Sequence, residues 1–146
     1  MNKPASSHRG SFVEIEHTAD LAIEVTAESL GDLFALCAEA LFSLIADPQT
    51  IQPLTEITIS TTAADVEELL HAWLTELLAK FNLSGFVGRH CRIDRIGNDF
   101  VEGRIEGEAL DLKRHNFYTE IKGVTYHDFR VWQEHDAWHA RIVFDV

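Results

Sequence analysis

The sequence has few cysteines and no long apolar run. Its 146 residues include two cysteines, Cys37 and Cys91, too few and too widely spaced for a disulfide framework or a Cys-x-x-Cys site. Because Cys37 falls on the apolar face of a predicted helix, we expect buried, reduced thiols. No segment approaches the roughly 20 apolar residues of a membrane span, and the polar first residues lack the apolar core of a secretion signal. We therefore expect a cytoplasmic protein.

Positive charge is also scarce. The chain has 12 lysines and arginines against 24 aspartates and glutamates, a net charge of −12. This balance argues against autonomous binding to a phosphate backbone, where affinity comes from clustered cations, and fits a basic protein partner better. The length and a hydrophobic content of 46% predict one domain with a sizeable core. We assign that domain to residues 12–146, after a flexible polar extension at residues 1–11.

Two amphipathic helices are predicted. Apolar residues recur at helical spacing between Ser29 and Ala46, where Ser29 and Asp32 resemble a capping box and Pro48 prevents continuation. A second apolar stripe extends from Val66 to Phe81 and includes Trp73. A stripe of leucines and aromatics with this regularity is typical of a core face, so we assign Trp73 and Phe81 to packing.

The remaining segments read as strands, because apolar and polar residues alternate or β-branched and aromatic residues dominate. Strands are predicted at residues 21–26, 57–60, 87–96, 100–106, 120–126, 129–134 and 138–146. The last two would form a hairpin around His135-Asp136. The order of elements predicts a single-domain α+β fold, in which a mostly antiparallel or mixed sheet carries both long helices on one face.

Two acidic residues at opposite ends of the chain suggest a cation site. Asp20 closes the segment His17-Thr18-Ala19-Asp20, and Asp145 precedes Val146, whose carboxylate adds another negative group. A bound hard cation would relieve the repulsion between these groups. The alternative is that both are solvated surface carboxylates. They can meet only if the last strand pairs with the strand at residues 21–26.

Two further clusters could carry chemistry. Glu120, Lys122 and Tyr126 would share one face of a strand, with His127 beside them, which suggests either a polar contact surface or an active site. We favour the contact surface, because no nucleophile held by a base accompanies them.

A histidine group is the other cluster. His127, His135 and His139 lie close in sequence, but a turn separates them and neither a thiolate nor a His-Glu-x-x-His helix supports zinc binding. Exposed or hydrogen-bonding histidines explain them better. The segment from Asp111 to His115 is expected to be a capped turn with a structural role.

Five segments in order, spanning nearly the whole chain, resemble the archease family, small proteins that assist the RNA ligase of tRNA splicing and RNA repair. The segments are His17-Thr18-Ala19-Asp20, Trp73–Leu78, Gly107–Asp111 leading to His115, Glu120–His127 and Arg141–Val146. Two features depart from the family pattern: Gly123 stands where alanine is usual, and the polar extension precedes the matching region. Neither involves the proposed metal ligands.

The resemblance implies a non-catalytic activator or chaperone of a GTP-dependent RNA ligase. It would promote guanylylation and multiple turnover of the ligase, which joins ends bearing a 3′-phosphate or 2′,3′-cyclic phosphate. The resemblance further implies a divalent cation held by Asp20, Asp145 and Val146, most often Ca²⁺, with Mg²⁺ or Mn²⁺ also suited to such oxygen ligands.

Contacts with the ligase or its nucleotide are expected from a second set of residues, and RNA contact would be indirect through the ligase. The set comprises His17, Glu120, Lys122, Tyr126 and His127. The activator could deliver metal or shift the conformation of the ligase.

Two other functions stay open at this point. One is a metal-dependent phosphoester hydrolase, in which Asp20 and Asp145 bind the cation and His17 or His127 is the general base. The other is an interaction subunit with a purely structural cation. Turnover without a partner would distinguish an enzyme from both alternatives.

Overall fold

The computed structural model describes residues 9–15 and 20–146 of the chain. His17 and the first eight residues of the expected extension lie outside the described residues. Two helices and eight strands follow one another, with a short 3-10 helix at Pro48–Thr50. They are β1 (Gly10–Ile15), β2 (Leu21–Ala27), α1 (Leu30–Ile45), β3 (Thr55–Thr62), α2 (Val66–Ser84), β4 (Phe86–Ile96), β5 (Phe100–Ala109), β6 (Gly123–Val124), β7 (Arg130–Glu134) and β8 (Ala137–Asp145).

Both predicted helices are confirmed, and local capping sets their ends. The Ser29 hydroxyl accepts a hydrogen bond from the Asp32 N–H at 3.1 Å, which satisfies a free donor in the first turn of α1. The Asp65 carboxylate does the same for α2, accepting from the Glu68 N–H at 2.9 Å. Helix α2 ends at Gly85, whose φ of 74° is the left-handed conformation that glycine adopts without strain.

The predicted α+β class with antiparallel pairing is confirmed, and the strands are divided between two sheets. The larger has the order β1-β2-β8-β6, and β7 also pairs with β8. The smaller has the order β3-β5-β4. In the smaller sheet β5 pairs with β3 and β4, whereas in the larger sheet β8 pairs with β2, β6 and β7. These pairings join strands that are far apart in sequence, so the alternation of residues along one strand does not predict them.

The predicted strand at residues 120–126 is wrong for most of its length. Only Gly123 and Val124 form a strand, β6. The chain then turns, with the Phe129 N–H donating to the Tyr126 carbonyl at 3.3 Å and Asp128 at a φ of 57°. The expected common face of Glu120, Lys122 and Tyr126 therefore does not form. By contrast, the hairpin of β7 and β8 is confirmed, with His135 and Asp136 both at positive φ, as a type I′ turn requires.

The core lies where both helices pack against strands of the two sheets. Helix α1 lies against β4 and β2, and α2 lies against β3, β4 and β6. Trp73 and Phe81 are buried, as predicted. Cys37 and Cys91 are buried free thiols, again as predicted, and burial raises the pKa of both. Within the described part of the chain, no helix has the length and apolarity to cross a membrane.

Candidate functional site

Strand pairing brings together the chain segments that carry the two acidic residues of the predicted site. Strands β2 and β8 are antiparallel, the last pair of their register is Leu21 with Phe144, and Asp20 and Asp145 are the next residue beyond this pair on each segment. The pairing on which their meeting depended is therefore present. Asp20 is half-buried and Asp145 is exposed, so the pair lies at the surface where solvent or a partner can reach it.

Strand β6 holds the other side of Asp145. Gly123 is paired with Asp145, and the Lys122 N–H donates to the Asp145 carbonyl oxygen at 2.8 Å. A Cβ built at Gly123 would lie 3.9 Å from Oδ2 of Asp145, an ordinary van der Waals distance. An alanine would therefore fit here as well as the glycine does. The departure from the family pattern at this position leaves the carboxylate where it is.

The donor set suits an open site for a hard cation. Carboxylate oxygens are the ligands that Ca²⁺, Mg²⁺ and Mn²⁺ prefer, and they could come from Asp20, just before β2, and Asp145, the last residue of β8. Among residues 9–15 and 20–146, no three His, Cys, Asp or Glu side chains are grouped so that they could hold a metal ion. An ion here would need further oxygens, from the Val146 carboxylate, water or a partner. The described residues equally give no support to zinc at His127, His135 and His139.

Helix α2 contacts the segment from Val124 to Tyr126, which follows Gly123 and its partner Asp145. The sequence analysis did not predict this contact. The His71 ring donates from Nε2 to the Val124 carbonyl oxygen at 2.9 Å and stacks on the Tyr126 ring at a centroid distance of 3.8 Å. The Tyr126 hydroxyl donates to Oε2 of Glu68 at 3.3 Å. Desolvation and then the negative charge of Glu68 raise the pKa of the Tyr126 phenol. Tyr126 is thus anchored to α2.

The other predicted contact residues lie on the surface without converging on Tyr126. Glu120, Lys122 and His127 are exposed. Nε2 of His127 lies 3.4 Å from Oδ2 of the neighbouring Asp128. Of these residues, Lys122 is tied to Asp145 by its backbone hydrogen bond, and the contact role of the set stays a prediction.

A buried carboxylate cluster supports the long connection between β5 and β6. Glu108 is buried and accepts hydrogen bonds from both terminal nitrogens of Arg114, from the Gln52 N–H at 2.6 Å and from Nε2 of His115 at 2.8 Å. The Asp111 N–H donates to Nδ1 of His115 at 2.8 Å, which places the ring hydrogen on Nε2. Sequence analysis expected only a capped turn at Asp111. The other acidic residue of the Gly107–Asp111 segment, Glu108, was the available signal for this cluster.

The Glu108 cluster makes the stability of the fold depend on pH. The Arg114 guanidinium foremost, followed by the Gln52 N–H and His115, lowers the pKa of Glu108 from its usual 4.5 to about 2, although burial opposes the shift. Because the pKa is lower in the folded state, the ionised carboxylate stabilises the fold fully above pH 4.5, and this stabilisation is lost as the pH falls toward 2.

Replacing Glu108 by glutamine is expected to cost about 2–3 kcal/mol of unfolding free energy at pH 7, because a buried charge pair loses one partner. The difference from the wild type should shrink as the pH falls from 4.5 toward 2. Urea unfolding at a series of pH values measures this. Glu106→Gln, two residues earlier on β5, is the control and should leave the pH dependence unchanged. A constant difference at all pH values would contradict the assignment.

Comparisons with known proteins agree with this architecture. Residues 12–146 match the model of the Archease protein family. A protein archease of Methanopyrus kandleri is 38% identical over 136 residues, covering 91% of this chain and 97% of the relative. One from Methanosarcina barkeri is 34% identical over 145 residues, covering 97% of this chain and 99% of the relative.

Solved structures also match. The solution structure of protein 1598 of Methanobacterium thermoautotrophicum is 25% identical with a TM-score of 0.79, over 92% of this chain and 98% of that one. The crystal structure of a Thermotoga maritima archease, described as a possible chaperone, is 26% identical with a TM-score of 0.60, over 100% and 98%. The match to the family begins within β1 and continues past the end of β8. The chain therefore belongs to the archease family.

Proposed function

We propose that the protein is a non-catalytic accessory protein that activates a GTP-dependent RNA ligase. The ligase would join RNA ends bearing a 3′-phosphate or 2′,3′-cyclic phosphate, in tRNA splicing or RNA repair in the cytoplasm. The observation that supports the proposal is the pairing of β2 with β8, whose last pair, Leu21 with Phe144, lies next to Asp20 and Asp145 at the surface. The description of the Thermotoga maritima relative as a possible chaperone supports the accessory role.

Asp20, Asp145 and Val146 would hold a divalent cation in this proposal. When bound, the cation supplies positive charge that can balance phosphate oxygens while the ligase is guanylylated. The residues of this chain fix the position of the site. Strand β2 pairs with β8 as far as Phe144, and the Lys122 N–H donates to the Asp145 carbonyl oxygen, so the backbone that carries the carboxylate is held in place. The exposed Lys122 and His127 side chains would contact the ligase or its nucleotide.

The accessory role can operate in two ways, which differ in whether they need the Asp20–Asp145 carboxylates. In the first, the protein delivers or positions metal for the ligase. In the second, it binds one conformation of the ligase better than another and shifts the population toward the competent state. Only the first depends on the carboxylate pair, because a conformational effect needs contact surface but no ion.

The test is RNA joining by the ligase with GTP and Mn²⁺, using far less ligase than RNA, with and without this protein. We expect stimulation of repeated turnover and no joining by the accessory protein alone. Unchanged turnover in its presence would contradict the proposal. A parallel reaction with phosphoester substrates, Mg²⁺ or Mn²⁺ and no ligase tests the hydrolase alternative, which requires hydrolysis by this chain alone.

A further inference from the structure

Strands β6 and β7 form an open edge of the larger sheet. Strand β2 occupies one side of β8, so β6 and β7 both lie along its other side. Within residues 9–15 and 20–146, neither β6 nor β7 pairs with a further strand on its outer side. Backbone groups that point outward from such an edge need partners other than a strand. Helix α2 lies against both strands and provides two of these partners.

The first partner is His71, which binds the outward carbonyl of β6. The peptide unit between Val124 and Thr125 has its N–H directed at β8, because the Thr125 N–H donates to the Val143 carbonyl at 3.0 Å. In a trans peptide the carbonyl points the opposite way, so the Val124 carbonyl points outward from the sheet. There it accepts a hydrogen bond from Nε2 of His71 at 2.9 Å. His71 is half-buried, so water competes less for this carbonyl than it would at an exposed edge.

The second partner is Glu67, one helical turn before His71. Its carboxylate accepts a hydrogen bond from the Val131 N–H of β7 at 3.0 Å. Residues at i and i+4 of a helix lie on the same face, so one face of α2 holds an acceptor for β7 and a donor for β6. Between the two strands, the Tyr126 ring stacks on the His71 ring at a centroid distance of 3.8 Å. Helix α2 therefore takes the place of a neighbouring strand along this edge.

The backbone of Asp145 depends on β6 for its strand pairing. The β2–β8 register ends at Leu21 with Phe144, and in the part of the chain that the structure describes the strand partner of Asp145 is Gly123. The adjacent Lys122 N–H donates to the Asp145 carbonyl oxygen at 2.8 Å. Strand β6 has only two residues, so few hydrogen bonds of the sheet hold it, and each contributes little by itself. The bond from His71 is therefore a substantial part of what fixes β6 beside Asp145.

We propose that His71 is a positioning residue for the cation site at Asp20 and Asp145, an inference that rests on the proposed function. Its Nε2–H holds β6 from the side opposite β8, and β6 in turn holds the backbone that carries the Asp145 carboxylate. A cation bound by few protein oxygens gains affinity when those oxygens are already in place, because less order has to be imposed on binding. Groups that orient metal ligands from outside the coordination sphere change metal affinity for this reason.

Two variants separate the hydrogen bond of His71 from its ring. His71→Phe keeps a ring that can stack on Tyr126 but has no donor for the Val124 carbonyl. His71→Gln has no ring but keeps an N–H donor at the same number of bonds from Cα. His90→Phe is the matched control, because His90 lies on β4 in the smaller sheet.

The measurements are amide hydrogen exchange of the intact protein by NMR and titration with Mn²⁺ by calorimetry. In His71→Phe, the amides of Lys122 and Thr125 should exchange about fivefold faster, the size expected from the loss of one hydrogen bond. The affinity for Mn²⁺ should fall by about fivefold as well, less than for the removal of a ligand, since His71 acts through the backbone. His71→Gln should restore both values to near those of the wild type, and His90→Phe should change neither. Thermal unfolding of each variant checks that it is folded.

The outcomes separate this inference from the proposed function. If exchange in His71→Phe is unchanged, or is faster without a loss of Mn²⁺ affinity, His71 does not position the site, and stimulation of an RNA ligase by the wild type would still support the accessory role. If His71→Phe behaves like the wild type and His71→Gln does not, the ring stack holds β6 and the proposal is overturned. If the wild type binds no Mn²⁺, the cation site of the proposed function fails and the inference fails with it. If the variants follow the expected pattern but the wild type does not stimulate the ligase, the positioning role stands and the ligase proposal fails.

Discussion

Under the proposed metal-centred function, Asp20→Ala is expected to abolish stimulation of an RNA ligase at any concentration of this protein, with the fold intact. Asp20 and Asp145 adjoin the last pair of the β2–β8 register, and removing one carboxylate halves the side-chain donor set of the proposed cation site. Metal affinity should fall by about tenfold or more, since even outer-shell partners of metal ligands have effects of this size. Because Asp20 is only half-buried, the substitution should leave no large cavity.

The measurement combines multiple-turnover RNA joining with titration of Ca²⁺ and Mn²⁺ by calorimetry. Asp145→Ala should reproduce both defects. Glu76→Ala is the matched control, because it removes one negative charge from the exposed side of α2 without approaching the acidic pair. An Asp20→Ala protein that is folded and fully stimulatory would eliminate the metal-centred mechanism and leave the conformational one.

Trp73→Ala is expected to cause the largest loss of stability, about 3–5 kcal/mol, the range for truncating a buried large aromatic side chain. Trp73 is fully buried at 0% exposure, and its Nε1–H donates to the Phe34 carbonyl oxygen at 3.1 Å. Strand β5 packs tightly against the indole at Gly103, where an added Cβ would lie only 2.9 Å from Cη2 of Trp73. Alanine would leave a cavity and remove the hydrogen bond that the indole adds to the Phe34 carbonyl of α1.

Urea unfolding followed by circular dichroism measures the effect. Trp132→Ala is the control, because Trp132 is only half-buried and stacks on His139 at the surface, at a centroid distance of 5.2 Å. It should cost about 1 kcal/mol. Trp73→Phe keeps most of the volume and should fall between the two, so the result stays informative if the alanine variant does not fold. Equal costs for Trp73→Ala and Trp132→Ala would contradict the role of Trp73 as a core residue.

The helices could be predicted because their signals are local. Ser29 and Asp65 cap the two N-termini. The residues of the apolar stripe in α2, including Trp73, are the ones that are buried. The same holds for the β7–β8 hairpin, whose two turn residues are adjacent in sequence. In each case the interacting groups are a few residues apart in sequence, so the sequence pattern is enough to predict the local structure.

Local sequence pattern is not enough where distant contacts decide the structure. Glu108 has the parity of the outward-facing residues of β5, because Val101, Gly103 and Ile105 point inward, yet it is buried. The connection folds back and places Arg114 and His115 over it. Likewise, alternation alone could not show that most of the predicted strand at residues 120–126 would be an irregular segment, anchored through Tyr126 to α2.

The sequence by itself determined the α+β class, both helices, the burial of the thiols and the pair of acidic residues worth testing. It also carried the family resemblance, through short segments whose residues are contiguous. Only the tertiary structure decided that β2 pairs with β8 at the end where Asp20 and Asp145 lie, and that the connection after β5 folds Arg114 and His115 over Glu108. The physical reason is that helix signals act over one or two turns, whereas strand partners and surface neighbours are selected by the packing of the whole core.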